Sequence, residues 1–409
     1  MYLEHISLTN FRNYSSLELG LAPGPVVLCG GNAQGKSNLL EAIYLLATTK
    51  SHRTTVDRDL VHWDAGDGPL SVARLVAEVC REGDRIRVEI ALGWETQTAG
   101  AGAGDGAGQP TPSPPRLRKQ AKINGVPRRA SEVLGQLNVV IFSSQDVEII
   151  GGSPAQRRRY LDITNSQADR AYLRALQRYT RVLSQRNHLL RLIREGSAQT
   201  EELGFWNEQL VEEGCYILRQ RRSMISELAG LAGTIYSELS GGSEALDIAY
   251  LPNPPQANAV EGEGPEALKE AFHQRLTANL QREVAQGATV TGPHRDDLQF
   301  TVNARDMGLY GSRGQQRTIA AALKLAEVNF LVSSTGEEPV LLLDDILSEL
   351  DAPRRRQVLE CAMSNVQTLL TTTDLDRIDA DFLSRASVYS VQQGEVRPVG
   401  NPNSVQEVP

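Results

Sequence analysis

Long apolar runs are missing from this chain of 409 residues. No stretch approaches the ~20 consecutive apolar residues that cross a bilayer. No apolar signal segment stands at the N-terminus, so the chain is expected to be cytoplasmic. Cysteine is scarce: Cys29, Cys80, Cys215 and Cys361 lie far apart with no paired spacing. That argues against a disulfide framework or a zinc site and suits a reducing compartment. An excess of positive charge is also absent. The formal net charge is −8, so nucleic-acid binding would need an uneven distribution of charge, and no base-reading motif is visible. With 40% apolar residues the chain is long enough for two or three domains.

What is present begins with Gly30-Gly31-Asn32-Ala33-Gln34-Gly35-Lys36-Ser37. An apolar strand, Val26 to Cys29, precedes it and an apolar helix, Leu39 to Leu46, follows, which is the context a phosphate-binding loop requires. The glycines let backbone N–H groups turn inward around a phosphate, the helix N-terminus adds partial positive charge, and Lys36 supplies a full one. Ser37 is placed to ligate Mg²⁺. Far downstream, Val340-Leu341-Leu342-Leu343-Asp344-Asp345 reads as a buried strand delivering a carboxylate to its tip. A nucleotide-binding sheet keeps its second Mg²⁺-directed group there. Asp345 is the neighbour able to orient or deprotonate an attacking water. Ser348-Glu349-Leu350-Asp351 follows.

Upstream of that strand, Tyr310-Gly311-Ser312-Arg313-Gly314-Gln315-Gln316-Arg317 opens a strong helix. Its N-terminus forms a second phosphate-binding surface. One nucleotide does not need two such loops from one chain, but two nucleotides sandwiched between two copies do, which implies an ATP-closed two-fold dimer. The plainer alternative is that Ser312 is only a helix cap. Leu239-Ser240-Gly241-Gly242-Ser243 looks more like the signature of ATP-binding-cassette proteins, but it lacks the glutamine and a long helix behind it. It reads as a loop closing the helical region.

The N-terminal residues 1–8 and 17–19 alternate apolar and polar, as strands do. Further strand-like runs cover 71–79, 85–92 and 117–123, the last ending in an Asn124-Gly125 turn. Residues 96–115 are low-complexity Gly/Ala and Pro and read as a flexible hairpin tip or disordered insertion. From about Ser153 the period lengthens. Leu176, Leu183 and Leu190 recur every seven residues, and Leu210, Ile217, Met224 and Leu231 do the same. These stripes, broken at Glu195-Gly196-Ser197, fit an antiparallel helical hairpin or, equally, two amphipathic helices packed on a domain. Residues 252–265 read as a loop and 266–286 as an amphipathic helix; the final third alternates strand and helix.

The motif set resembles the RecF family of bacterial DNA replication and repair ATPases, which are related to SMC proteins. It comprises Asn10-Phe11-Arg12-Asn13-Tyr14, the phosphate loop and its helix, Thr48-Thr49-Lys50-Ser51-His52-Arg53, residues 152–162 (GSPAQRRRYLD), residues 291–298 (TGPHRDDL), SRGQQR and LLLDDILSELD. The likeness spans nearly the whole chain apart from the 96–115 insertion and the C-terminal end. It implies an α/β fold: an ATP-binding-cassette-type, SMC-like head split in sequence, with an inserted helical arm. It also implies ATP-driven dimerisation, weak ATP hydrolysis, binding to DNA at gaps or junctions, and loading of RecA together with RecO and RecR.

Carried onto this chain, the resemblance makes Gly30 and Asn32, Ala33, Gln34, Gly35, Lys36, Ser37 and Asn38 the nucleotide-binding loop. Ser37 and Asp344 become the Mg²⁺ ligands, Lys36, Asp344 and Asp345 the catalytic set, and Ser312, Arg313, Gly314 and Gln315 the signature. Ser348 to Asp351 corresponds to the dimer-facing loop, Gln145 is a candidate Q-loop residue, and Arg12 and Arg53 are candidate γ-phosphate contacts. Where transporter cassettes carry a switch histidine, this chain has Leu370-Thr371-Thr372-Thr373-Asp374, and Thr373 or Asp374 is the candidate substitute.

Charge is indeed uneven. Residues 155–195 hold ten arginines against three acids, a local charge of +7. Arg157, Arg158, Arg170, Arg174, Arg178 and Arg181 are the candidate DNA contacts, reading backbone and shape instead of sequence. Lys119, Lys122, Arg128 and Arg129 would extend that surface. The expected organisation is an N-terminal head part over 1–155, a helical arm over 156–285, a C-terminal head part over 286–400 and a frayed tail at 401–409, in a nucleoid-associated protein. Alternatives are an SMC-like ATPase of another DNA-processing complex and, less well supported, a transporter ATPase subunit. Against the latter stand the long separation of Ser37 from Asp344 and the missing histidine.

Overall fold

The structure, a computed structural model, describes residues 1–65, 72–95, 116–255 and 264–399. The insertion expected at 96–115 and the tail at 401–409 lie outside the described residues. The chain forms two compact units, Met1–Ser143 with Glu337–Pro409, and Ser144–Gly336.

In chain order the first unit opens with β1 (Tyr2–Phe11), β2 (Tyr14–Gly20), β3 (Gly24–Cys29) and α1 (Lys36–Thr48). Four strands follow: β4 (Val72–Arg81), β5 (Asp84–Glu95), β6 (Arg116–Ile123) and β7 (Val126–Arg128). β8 (Val139–Ser143) ends this part. The second unit contributes α2 (Pro154–Ala168), α3 (Arg170–Arg194), α4 (Leu203–Leu239) and β9 (Leu246–Leu251). It continues with α5 (Pro265–Gln286), β10 (Asp297–Val302), β11 (Arg305–Asp306) and α6 (Arg313–Thr335). The chain then returns to the first unit as β12 (Val340–Asp344), α7 (Ala352–Ser364), β13 (Gln367–Thr372), β14 (Ser387–Gln392) and β15 (Glu395–Pro398).

The first unit holds two sheets. One is antiparallel, in the order β2-β1-β4-β5-β6-β7. Ile6 faces Leu19 and Leu8 faces Leu17 across β1 and β2, so the apolar half of each alternation is buried. The other has the order β15-β14-β3-β13-β12-β8 and is parallel except for its β15 edge. Its central strands are covered on both faces, which is why Val340 to Leu343 is an unbroken apolar run. Parallel registry brings Cys29, Thr372, Asp344 and Ser143 to the same sheet edge, the carboxyl ends where such sheets bind ligands.

In the second unit α3 and α4 form an antiparallel hairpin. The pairing order shows the direction: Asp169 meets Tyr216, Arg178 meets Glu213 and Arg186 meets Asn207. The period was legible, and its phase holds in α4, where Leu210, Ile217 and Met224 are buried, but only in part in α3. The buried residues of α3 are Tyr172, Ala175, Tyr179, Val182, Arg186, Leu189 and the expected Leu190, whereas the expected Leu176 and Leu183 lie one step past the seam and are only half-buried. A three-stranded sheet, β11-β10-β9, completes this unit.

The division falls elsewhere than at the expected boundaries near 155 and 285. The helix α6 packs its apolar face, including Ile319, Leu323 and Phe330, into the same unit as α4, so the signature segment lies in Ser144–Gly336.

Candidate nucleotide site and arginine surface

The phosphate loop is built so that its carbonyls are tied down from outside. Asn13 Nδ2 donates to Gln34 O at 2.9 Å, and Tyr14 OH donates to Gly35 O at 2.9 Å. Ala33 takes φ 61° and Gly35 φ 119°. A Cβ at Gly35 would lie 2.7 Å from Asn13 Nδ2, so glycine is required there. No side chain caps the N-terminus of α1, which leaves its first N–H groups for an anion. Lys36 Nζ sits 2.7 Å from both Gly30 O and Gly31 O. Burial pulls the Lys36 ammonium below the ordinary lysine range, against the opposing charges of Asp345 and Asp344.

The metal-directed pair meets directly. Ser37 Oγ donates to Asp344 Oδ1 at 2.7 Å although the residues are 307 positions apart. Thr371 Oγ1 donates to the same oxygen at 2.9 Å and accepts from Asp345 N at 2.9 Å. Asp345 adopts a left-handed φ of 51° and is exposed. Among the described residues no group of three or more His, Cys, Asp or Glu side chains could hold a metal. A hydroxyl beside one carboxylate nevertheless fits Mg²⁺, which takes its remaining ligands from phosphates and water. The pattern of residues around Thr371 drew attention to Thr373 and Asp374. Asp374 instead caps a short turn, accepting from Asp376 N at 3.0 Å, and pairs with Arg377.

A second knot lies behind the loop. Glu41, fully buried in α1, accepts from Arg12 Nε at 2.9 Å and Arg12 NH2 at 2.7 Å, and from Arg53 NH1 at 3.4 Å. Ser51 Oγ also donates to it. Arg53 NH1 reaches Asn38 Oδ1 at 2.7 Å. Both arginines expected at the phosphates thus share one carboxylate that the sequence reading missed. Its signal was a charge inside the apolar run Leu39-Leu40-Glu41-Ala42-Ile43.

The remaining expected positions have local partners of their own. Ser312 caps α6: its Oγ accepts from Gln315 N at 3.2 Å, and Gln315 Oε1 accepts from Ser312 N at 3.1 Å. Ser312, Arg313 and Gly314 are nonetheless exposed. Gln315 Nε2 donates to Glu244, just past the dismissed Ser240–Ser243 loop, at 3.2 Å. Gln145 lies exposed in the turn after β8, two residues beyond Ser143, which is level with Asp344. Asp351 caps α7 by accepting from Arg354 N at 3.1 Å.

The arginine surface is smaller than its charge count suggested. Arg157 is 9% exposed; it pairs with Asp297 through Nε at 2.5 Å and NH2 at 3.0 Å. Arg158 donates to Asp296 O at 2.8 Å, and burial lowers its pKa. Arg186 is buried against Glu283 at 2.7 Å. Arg178 is bound to Glu213. Arg170, Arg174 and Arg181 are exposed along α3, and Arg178, although paired, is exposed with them. Of the suggested extension, Lys119 pairs with Asp57, Lys122 with Glu89 and Arg128 with Glu132.

Residues 291–298 enter a second buried ionic centre. Arg221 donates to Tyr172 OH, Pro293 O, Asp296 Oδ2 and Asp162 Oδ1 at 3.0, 2.6, 2.8 and 2.7 Å. Asp296 also accepts from Tyr250 OH and Asn253 N.

Comparison with known proteins agrees with these motifs. The model of the RecF/RecN/SMC N-terminal domain family matches residues 2–395. The DNA replication and repair protein RecF of Chloroflexus aurantiacus is 44% identical over 97% of this chain and 99% of its own length. That of Roseiflexus castenholzii is 42% identical over 97% of this chain and 100% of its own. A solved structure of the recombination mediator RecF with ATP, from the RecFOR pathway, superposes with a TM-score of 0.81, at 32% identity over 98% of each chain. On the sequence, the fold and the phosphate-loop geometry together, the chain belongs to the RecF family, with an SMC-type head.

Proposed function

We propose that this chain is an ATP-binding DNA repair protein that hydrolyses ATP weakly, dimerises on ATP and binds DNA at gaps or junctions. It would serve there with RecO and RecR in loading RecA. The observation that carries the reading is the 2.7 Å contact of Ser37 with Asp344, which joins the two halves of a nucleotide site. The inward-facing backbone N–H groups and Lys36 would hold the phosphates, and Ser37 and Asp344 would hold Mg²⁺. Bound Mg²⁺ supplies charge neutralisation at the phosphates. Asp345, projecting from a left-handed position beside Lys36, would orient the attacking water and accept its proton. The exposed Ser312 loop would meet the nucleotide of a second copy, and Arg170, Arg174 and Arg181 would contact DNA backbone. No helix among the described residues is long and apolar enough to cross a membrane.

The test is retention on a fluorescent gapped duplex, read by anisotropy with ATP, ADP and no nucleotide. ATP-dependent binding that Lys36→Ala abolishes supports the reading. DNA binding that ignores both nucleotide and Lys36 contradicts it.

A further inference from the structure

We propose that Glu41 is a dock for Arg53: it holds Arg12 permanently and surrenders Arg53 to the terminal phosphate of a bound triphosphate. This rests on the nucleotide-binding reading above. Glu41 lies one helical turn beyond Ser37 on the same face of α1 and has no solvent exposure. Burial pushes its carboxyl up. The hydrogen bonds of Arg12 and Ser51 and the charges of Arg12 and Arg53 outweigh that, so its pKa falls below the ordinary carboxylate range.

The two arginines are held very differently. Arg12 uses all three guanidinium nitrogens, Nε and NH2 on Glu41 and NH1 on Asp59 O at 2.8 Å. Its side chain is 20% exposed. Arg53 is held through NH1 alone, with a long 3.4 Å contact to Glu41 and one bond to Asn38, and its side chain is 37% exposed. Asn38 directly follows Ser37, so Arg53 already rests at the edge of the phosphate loop. When it leaves, Glu41 keeps the bidentate Arg12 and is never a lone buried charge. Two cations on one carboxylate leave a surplus positive charge, which suits the arrival of an anion. Glu41 is therefore a positioning residue, setting how readily Arg53 is released.

A dock competes with the ligand, so weakening it tightens binding. Glu41→Gln keeps the side-chain shape and removes the charge. ATP affinity, measured by calorimetric titration, should rise about three- to tenfold, as for an arginine otherwise docked most of the time. ADP affinity should not change, and the gain should vanish when Arg53→Ala is added. A purely structural Glu41 would give equal or weaker ATP binding whatever residue stands at 53, and that result overturns the dock. Should Glu41→Gln not fold, the side-chain Nε signals of the wild-type chain decide. On addition of a non-hydrolysable ATP analogue Arg53 shifts and Arg12 stays; movement of both, or of neither, overturns the proposal. A wild-type chain that binds no ATP overturns the dock and the nucleotide reading together, whereas normal ATP binding with unaltered affinity in Glu41→Gln overturns the dock alone.

Discussion

Glu41 in the first unit and Asp296 in the second are both carboxylates with no solvent exposure and arginine partners, but the partners differ in freedom. Around Asp296, Arg221 is 2% exposed and every arm of it is used. Around Glu41, one arginine is saturated and the other hangs by a single nitrogen. The first arrangement is that of a structural knot tying α2, α3 and α4 to the strands β9 and β10; the second leaves a cation available for chemistry. Buried charge alone therefore does not mark a functional centre. What marks it is a charged group whose partners are fewer than its hydrogen-bonding arms, next to a loop that wants an anion.

Breaking the knot should give the largest effect. Arg221→Leu leaves Asp162 and Asp296 without their shared cation and should cost about 3–5 kcal/mol of unfolding free energy, read by denaturant titration. Arg53→Ala, in the looser cluster, should stay within ~0.5 kcal/mol of wild type. Similar losses from both would erase the contrast.

The second effect is a pH dependence inside the knot. Burial pushes His294 down to about 4 and Asp296 up to about 6. The unfolded histidine protonates near 6.5 while the folded one waits until about 4, so His294 costs stability as pH falls through that window. The folded Asp296 keeps its proton up to about 6 while the unfolded one loses it near 3.8, so Asp296 adds stability as pH falls. The two oppose each other in wild type. His294→Gln leaves only the second, and its melting temperature relative to wild type should climb between pH 7 and pH 4, by the equivalent of at most about 3 kcal/mol. A pH-independent difference would show that His294 is not held neutral.

The smallest effect separates solvated arginines from structural ones on neighbouring helices. Arg174→Ala should leave stability within ~0.5 kcal/mol and lower the salt slope of DNA binding by about one. Arg157→Ala should lower the melting temperature through its lost pair with Asp297 and leave that slope alone. A change of slope from Arg157→Ala would return that residue to the DNA surface.

The parts legible in the sequence were those written in contiguous residues. The phosphate loop, the β12 carboxylate and the Ser312 helix start each carry their chemistry within about ten positions, and each stands as a strand end or helix start in the structure. What escaped was set by distant partners. The charge count over 155–195 included Arg157 and Arg186, whose carboxylates, Asp297 and Glu283, are about a hundred residues away or more. The seven-residue repeat gave the buried positions Leu190, Leu210, Ile217 and Met224, but in the first part of α3 it missed the interior, where tyrosines with hydrogen-bonded hydroxyls are buried and Leu176 and Leu183 are only half-buried. Glu41 drew no reading within the apolar helix, because its partners Arg12 and Arg53 lie outside that helix. Thr371 was passed over because a threonine within a β-strand ordinarily signals only strand propensity.

The most direct test of the central claim is the solution mass by light scattering with ATP, with ADP and without nucleotide, for the wild-type chain and for Ser312→Arg. The account predicts a dimer only with ATP, further stabilised by a gapped duplex, and a monomer for Ser312→Arg that still binds ATP. A wild-type chain that remains monomeric while ATP is bound, or a Ser312→Arg variant that dimerises normally, would contradict it.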